Sequence, residues 1–148
     1  MSRITLSLAL ACLTVFAPSA FAQSSEYRAR LSVVAIDVAM QETVAGSGSV
    51  TATLSGATLK LSGQFQGLKS AVTVARLHRG PKMAMRGPAL ADLQVSGDTS
   101  GTIAGAIDLT TAQVDDLSKG RLYIQLHSEK APDGNLWGWL LIQEGKKR

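Results

Sequence analysis

Apolar and polar residues alternate along most of this chain with the period of two that marks a half-buried β-strand. The alternation is cleanest in residues 49–54, where Val50, Ala52 and Leu54 share a face, and in residues 58–65, where Leu59, Leu61 and Phe65 do. Ser55, Gly56 and Ala57 between them supply a turn, so the pair is predicted to form a hairpin. Further strands are expected at residues 31–40, 71–78, 89–95 and 102–109. Strand 71–78 offers two faces, one with Ala71, Thr73, Ala75 and Leu77 and one with Val72, Val74, Arg76 and His78; the first is the better core face. Residues 79–88 (RGPKMAMRGP) break twice at Gly-Pro and make a loop, as does the Gly- and Ser-containing stretch 41–48. Residues 23–29 are polar and are expected to be a mobile lead-in.

The most informative stretch is 119–142. Leu122, Ile124 and Leu126 alternate with Tyr123, Gln125 and His127, and a second apolar run, 136–142, carries both tryptophans, Trp137 and Trp139. Pro132-Asp133-Gly134-Asn135 between them has turn chemistry: Pro presets φ, and Asp, Gly and Asn tolerate tight or left-handed positions. The pattern predicts strand, turn, strand at the centre of the fold. Residues 110–119 are the one helix candidate, capped by Thr110 or Thr111 and ended by Gly120, with Val114 and Leu117 packing it on the sheet. Many short strands, Gly-rich turns and one short helix argue an all-β sandwich or barrel.

The first 22 residues change the picture from fold to compartment. Arg3, a run of about 14 apolar residues, shorter than a membrane span, and an Ala-Phe-Ala ending predict a cleaved export signal over 1–22, leaving one domain, 23–148. A membrane anchor and lipidation at Cys12 are the weaker alternatives. Cleavage removes the single cysteine, so neither a disulfide nor thiolate chemistry is expected. The remaining chain holds 14 Lys and Arg against 11 Asp and Glu, a net charge of +3, too small a surplus to argue for nucleic acid. No later segment is long and apolar enough for a membrane span, and the expected location is secreted or periplasmic.

Candidate chemistry is sparse. His78 and His127 are the two histidines, and their strands can bring them to one end of the fold as copper or zinc ligands, with Asp92, Glu129, Asp133, Met83 or Met85 as added donors. The plainer alternative is that each hydrogen-bonds backbone beside the core. Arg76, Arg79, Lys82 and Arg86 form the densest cationic cluster, fit for a carboxylate, a phosphate or a sulfated sugar, or simply a solvated loop. Lys146-Lys147-Arg148 is a second basic run. Trp137 and Trp139 are two apart and share a face, which is either deep core or an aromatic platform for a sugar or partner. No nucleophile elbow, phosphate loop or spaced Ser-His-Asp set points to catalysis, so the expectation is a non-enzyme with no required cofactor.

Three patterns in order resemble the chordin-type, or CHRD, domain. They are Gly67-Leu68 followed by Ala75-Arg76-Leu77-His78-Arg79-Gly80-Pro81; Leu109-Thr110 followed by Leu117-Ser118-Lys119-Gly120; and Leu122-Tyr123-Ile124-Gln125-Leu126-His127-Ser128 followed by Pro132-Asp133-Gly134-Asn135-Leu136. The resemblance spans essentially all of 23–148. It implies an exported immunoglobulin-like or related antiparallel β-sandwich. In animals such domains repeat in chordin, an extracellular antagonist of bone morphogenetic proteins; bacterial members are single-domain exported proteins, the kind this chain looks like. Departures fall on polar positions of the family pattern: Arg76 stands for its first histidine, and Trp137 and Trp139 stand where it has an arginine and a polar residue. The resulting expectation is a non-enzymatic extracytoplasmic binding or structural module. Its partner would be a protein or polyanion met through the Arg76–Arg86 loop and the tryptophan edge, with metal binding at His78 and His127 as the alternative.

Overall fold

The computed structural model describes residues 24–34 and 37–143. The expected export signal, Cys12 and the basic tail at 146–148 lie outside the described residues. Among the described residues nine strands, one α-helix and one 3-10 turn follow in the order β1 (Ser24–Val33), the 3-10 turn (Val38–Glu42), β2 (Ser47–Ser55), β3 (Thr58–Gln66), β4 (Val72–Arg79), β5 (Ala89–Gly97), β6 (Gly101–Asp108), α1 (Thr111–Ser118), β7 (Leu122–Ser128), β8 (Ala131–Trp139) and β9 (Leu141–Ile142).

Every pairing is antiparallel, and the strands run β2-β3-β6-β5-β4-β7-β8-β1 with β1 returning to pair with β2. Eight strands thus close on themselves. The all-β antiparallel fold with one short helix is as expected, but it is a closed barrel, which corrects the expected immunoglobulin-like or related sandwich. Closure happens at two corner strands. Ser24 to Leu31 of β1 pair with β2, while Ser32 and Val33 pair with Trp137 and Leu136 of β8. Ala89 to Leu93 of β5 lie beside β4, whereas its Gln94 to Gly97 lie beside β6. Closing the sheet removes the free edges that a sandwich must protect. At one closure Gly138 meets the β1 backbone; a Cβ there would sit 2.5 Å from the Arg30 carbonyl oxygen, so a side chain would force the two strands apart.

The interior takes one face from each strand. Tyr27, Ala29 and Leu31 of β1, Val50, Ala52 and Leu54 of β2, Leu59, Leu61 and Phe65 of β3, Ala75 and Leu77 of β4 and Leu122, Ile124 and Leu126 of β7 are buried together. This agrees with the predicted faces of the β2–β3 hairpin and of β4. Helix α1 begins at Thr110, whose hydroxyl accepts from the Gln113 N–H while the Gln113 side chain accepts from the Thr110 N–H, a capping box. Leu117 is buried, Val114 is half-buried against the core, and Gly120 follows with φ +65°. Among the described residues no helix is long and apolar enough to cross a membrane.

Three local expectations are corrected. From Ser24 on, the polar lead-in belongs to β1: Tyr27, Ala29 and Leu31 alternate with Arg28 and Arg30, and the strand stops at Val33. The stretch expected to continue it contains the 3-10 turn, capped by the Asp37 side chain. The tight turn of the last hairpin is at Glu129 and Lys130, and Pro132 to Asn135 lie inside β8. There the register passes from Leu126↔Leu136 to Ser128↔Ala131, so four residues of β8 stand opposite His127 alone. The turn-forming residues make a wide bulge in a strand, with Gly134 at φ +129°, and do not end it.

Candidate functional site

The wall made of β4, β7 and β8 is covered on both faces. All seven residues of β7 are buried, so Tyr123, Gln125 and His127, which point away from the barrel interior, lie under a second layer. The register aligns them with their neighbours: His78, Tyr123 and Trp139 form one row, Arg76, Gln125 and Trp137 the next, and Val74 and His127 the third. Period-two alternation puts these residues on one outer surface.

Aromatic packing joins the rows. The His78 ring stacks on Tyr123 at 4.9 Å between centroids, Tyr123 meets Trp139 at 4.4 Å and Trp137 at 6.2 Å, and the two tryptophans meet at 6.1 Å. Such offset and edge contacts add about 0.5–1.5 kcal/mol per pair beyond area burial. Trp137 and Trp139 are half-buried, so they are the exposed margin of this outer cluster and neither is barrel core.

The segment from Gly80 to Pro88 folds over the cluster. Its anchor is Gly87: the Gly87 carbonyl accepts from His78 Nδ1 (3.0 Å) and from the Tyr123 hydroxyl (3.2 Å), and the Gly87 N–H donates to that hydroxyl (3.1 Å). A Cβ at Gly87 would lie 1.9 Å from the Arg79 carbonyl oxygen, a backbone atom that cannot step aside. From this loop Arg86 places its guanidinium 5.3 Å from the centre of the Trp137 ring, a cation–π contact.

The four cations of the predicted cluster have different fates. Arg76 pairs with Asp92 at 2.8 Å. Arg79 turns to the buried carboxylate of Asp116, which Arg121 also holds, at 3.1 Å. Burial alone would raise the Asp116 carboxyl, but the two guanidiniums outweigh it and keep it below the usual carboxylate value. Lys82 and Arg86 are exposed and have no carboxylate partner among the described residues. The expected four-cation surface therefore reduces to Lys82 and Arg86, because acidic partners from β5 and α1 engage the other two.

Two cations that the sequence reading passed over take their place. Arg28 and Arg30 project from the outer face of β1 and, with Trp137, Trp139, Leu141 and Gln143, line a groove of about 370 Å³ where β1 meets β8 and β9. The signal was present as Tyr27-Arg28-Ala29-Arg30-Leu31, a two-residue period that starts inside the segment expected to be a lead-in.

The histidines come together: their ring centroids are 6.5 Å apart. Each Nδ1 faces a carbonyl, His78 that of Gly87 and His127 that of Pro132 (2.7 Å). A carbonyl only accepts, so each Nδ1 carries a proton, and in the neutral ring the lone pair is on Nε2. Both Nε2 atoms are buried without a partner among the described residues. Burial holds the His78 imidazole below its ordinary value; the Gly87 bond opposes this, and the neighbouring His127, Arg76 and Arg86 charges add to the lowering. The carboxylates and methionines considered as added ligands are not gathered with them: Asp92 is engaged by Arg76, Met83 and Met85 are exposed, and no group of three or more His, Cys, Asp or Glu is poised for a metal among the described residues.

The closed antiparallel barrel and its aromatic, cation-edged outer wall define a small all-β module. Residues 28–140 match the family model of the CHRD domain, and the chain belongs to that family. The match runs from Arg28 in β1 to Leu140 after β8, and so takes in most of the barrel and the outer cluster. Searches of curated proteins and of solved structures return no match.

Proposed function

We propose that this CHRD-family chain acts outside the cytoplasm, without catalysis, as a module that binds an anionic polymer, such as an acidic polysaccharide, in the groove between β1 and β8. One observation carries the reading: the half-buried faces of Trp137 and Trp139 share a groove with Arg28 and Arg30. Flat aromatic faces suit the apolar face of a sugar ring, and guanidiniums suit its carboxylate or sulfate. Arg86 beside Trp137 and Lys82 in the same loop extend the positive rim. The N-terminal export pattern and the family's extracellular character support the compartment. Both histidines bond backbone carbonyls at Nδ1, not a carboxylate that would orient a general base, which favours binding over catalysis.

Retention on immobilised heparin and polygalacturonate, read as the salt concentration of elution, tests this. Arg28→Glu with Arg30→Glu should elute well before the parent, and Trp137→Ala should weaken binding to both polymers. Elution of the double reversal together with the parent would remove the groove from the function.

A further inference from the structure

The outer wall contains a feature that polymer binding does not use. All three irregularities of strand register fall in this wall, and each falls at a histidine. The β4–β5 register shifts between Leu77 and His78; the β4–β7 register shifts between Val72 and Val74, the residue paired with His127; and the β7–β8 register skips His127 altogether. The pairings of the opposite wall carry no such break. Bulges re-aim side chains and concentrate beside functional sites. Here they turn two rings that leave the sheet four residues apart in register toward each other, to 6.5 Å between centroids.

The nitrogens that result have the form metal ligands take. Each Nδ1–H is tied to a backbone carbonyl, which fixes ring orientation and tautomer and leaves Nε2 as the donor. Both Nε2 atoms are buried and have no hydrogen-bond partner among the described residues. A buried polar atom without a partner costs about 1–3 kcal/mol, and two of them on rings 6.5 Å apart call for a shared partner.

We propose that His78 and His127 bind one monovalent copper ion between their Nε2 atoms. With both Nε2 atoms turned to one ion, metal–nitrogen bonds of about 2.0 Å and about 1.1 Å from ring centre to nitrogen would place two collinear imidazoles ~6.2 Å apart, and a tetrahedral angle would place them at ~5 Å. The 6.5 Å between the ring centroids leaves the length that a two-coordinate ion needs. Zinc and divalent copper want three or four ligands, and no third His, Cys, Asp or Glu joins the pair among the described residues. The guanidiniums of Arg76 and Arg86 act on His78, and positive charge penalises a divalent ion more than a monovalent one. The two histidines stand on β4 and β7 and do not line the β1–β8 groove, so the metal reading does not depend on the polymer reading.

The chain from Gln23 onward carries the whole barrel and no cysteine, so it presents no competing thiolate. It is titrated without oxygen against a chromogenic copper(I) chelator, and separately with silver(I) as a redox-inert probe. The expected result is one copper(I) per chain, absorption spectroscopy showing two nitrogens at about 2 Å, and affinity reduced about 100-fold or more in His78→Ala and in His127→Ala. Because either variant can disturb the wall, nitrogen NMR of the parent chain provides a second reading. At one equivalent of silver(I) the Nε2 resonances of both rings should shift strongly while both Nδ1–H stay bonded. Unchanged affinity in the double alanine variant, zinc held as tightly as copper(I), or a shift in neither ring or only one would overturn the proposal.

Discussion

Asp116 offers a perturbation whose outcome can be calculated in sign as well as size. It is 2% exposed and accepts hydrogen bonds from Arg79 and Arg121, whose side chains are 49% and 34% exposed. Two charge-assisted bonds would be worth about 1.5–3 kcal/mol each if fully shielded. Water already reaches both guanidiniums and replaces the lost partner, so Asp116→Ala should cost about 2 kcal/mol at pH 7. Removing both arginines should cost more, about 3–5 kcal/mol, because the charge left behind is the buried one. The pH dependences then diverge. In the parent chain Asp116 titrates below its ordinary value of 3.8, so its contribution is complete above that value and is lost as pH falls through the lower folded-state value. In Arg79→Ala with Arg121→Ala only burial remains, which raises the carboxyl; the penalty is then full at neutral pH and shrinks as pH falls through the raised value. Urea unfolding between pH 3 and 8, followed by tryptophan emission, measures both. A double-arginine variant no less stable than Asp116→Ala at pH 7, or a deficit that does not shrink toward pH 4, would refute the reasoning.

Gly87→Ala places a methyl against the Arg79 carbonyl and should lift the 80–88 segment from the outer cluster at a cost of about 2 kcal/mol. Red-shifted tryptophan emission with an intact far-ultraviolet spectrum is the expected sign, and an unshifted spectrum would show that the segment does not depend on that close approach. Asn135 is fully buried, donates to the Ser128 hydroxyl and accepts from the Ala45 N–H. Asn135→Ala strands both and should cost about 1–3 kcal/mol in urea unfolding; a loss below about 0.5 kcal/mol would mean that water or a shifted loop replaces the side chain.

Much of the fold was legible in the sequence because a two-residue period depends only on which residues are apolar. The β2–β3 hairpin, the inward face of β4, the capped helix ending near Gly120 and the family pattern all follow from local order, and each is present. Ser24 to Arg30 were missed because Arg28 and Arg30 make a strand look polar when only one of its faces is core. Pro132 to Asn135 were misplaced because turn chemistry specifies irregular backbone and does not say whether the irregularity ends a strand or bulges it. The site shows the same division. Its residue types were visible: Arg86, Trp137, Trp139, His78 and His127 stand together on one wall. Their company was not. Only closure of the barrel brings β1 against β8 and adds Arg28 and Arg30 to the tryptophans, and only the docking of α1 gives Arg79 a buried partner. Alternation along a strand is a local consequence of backbone geometry, whereas sandwich or barrel, free or paired cation, and separate or facing histidines depend on contacts between residues distant in the chain, which tertiary structure alone decides.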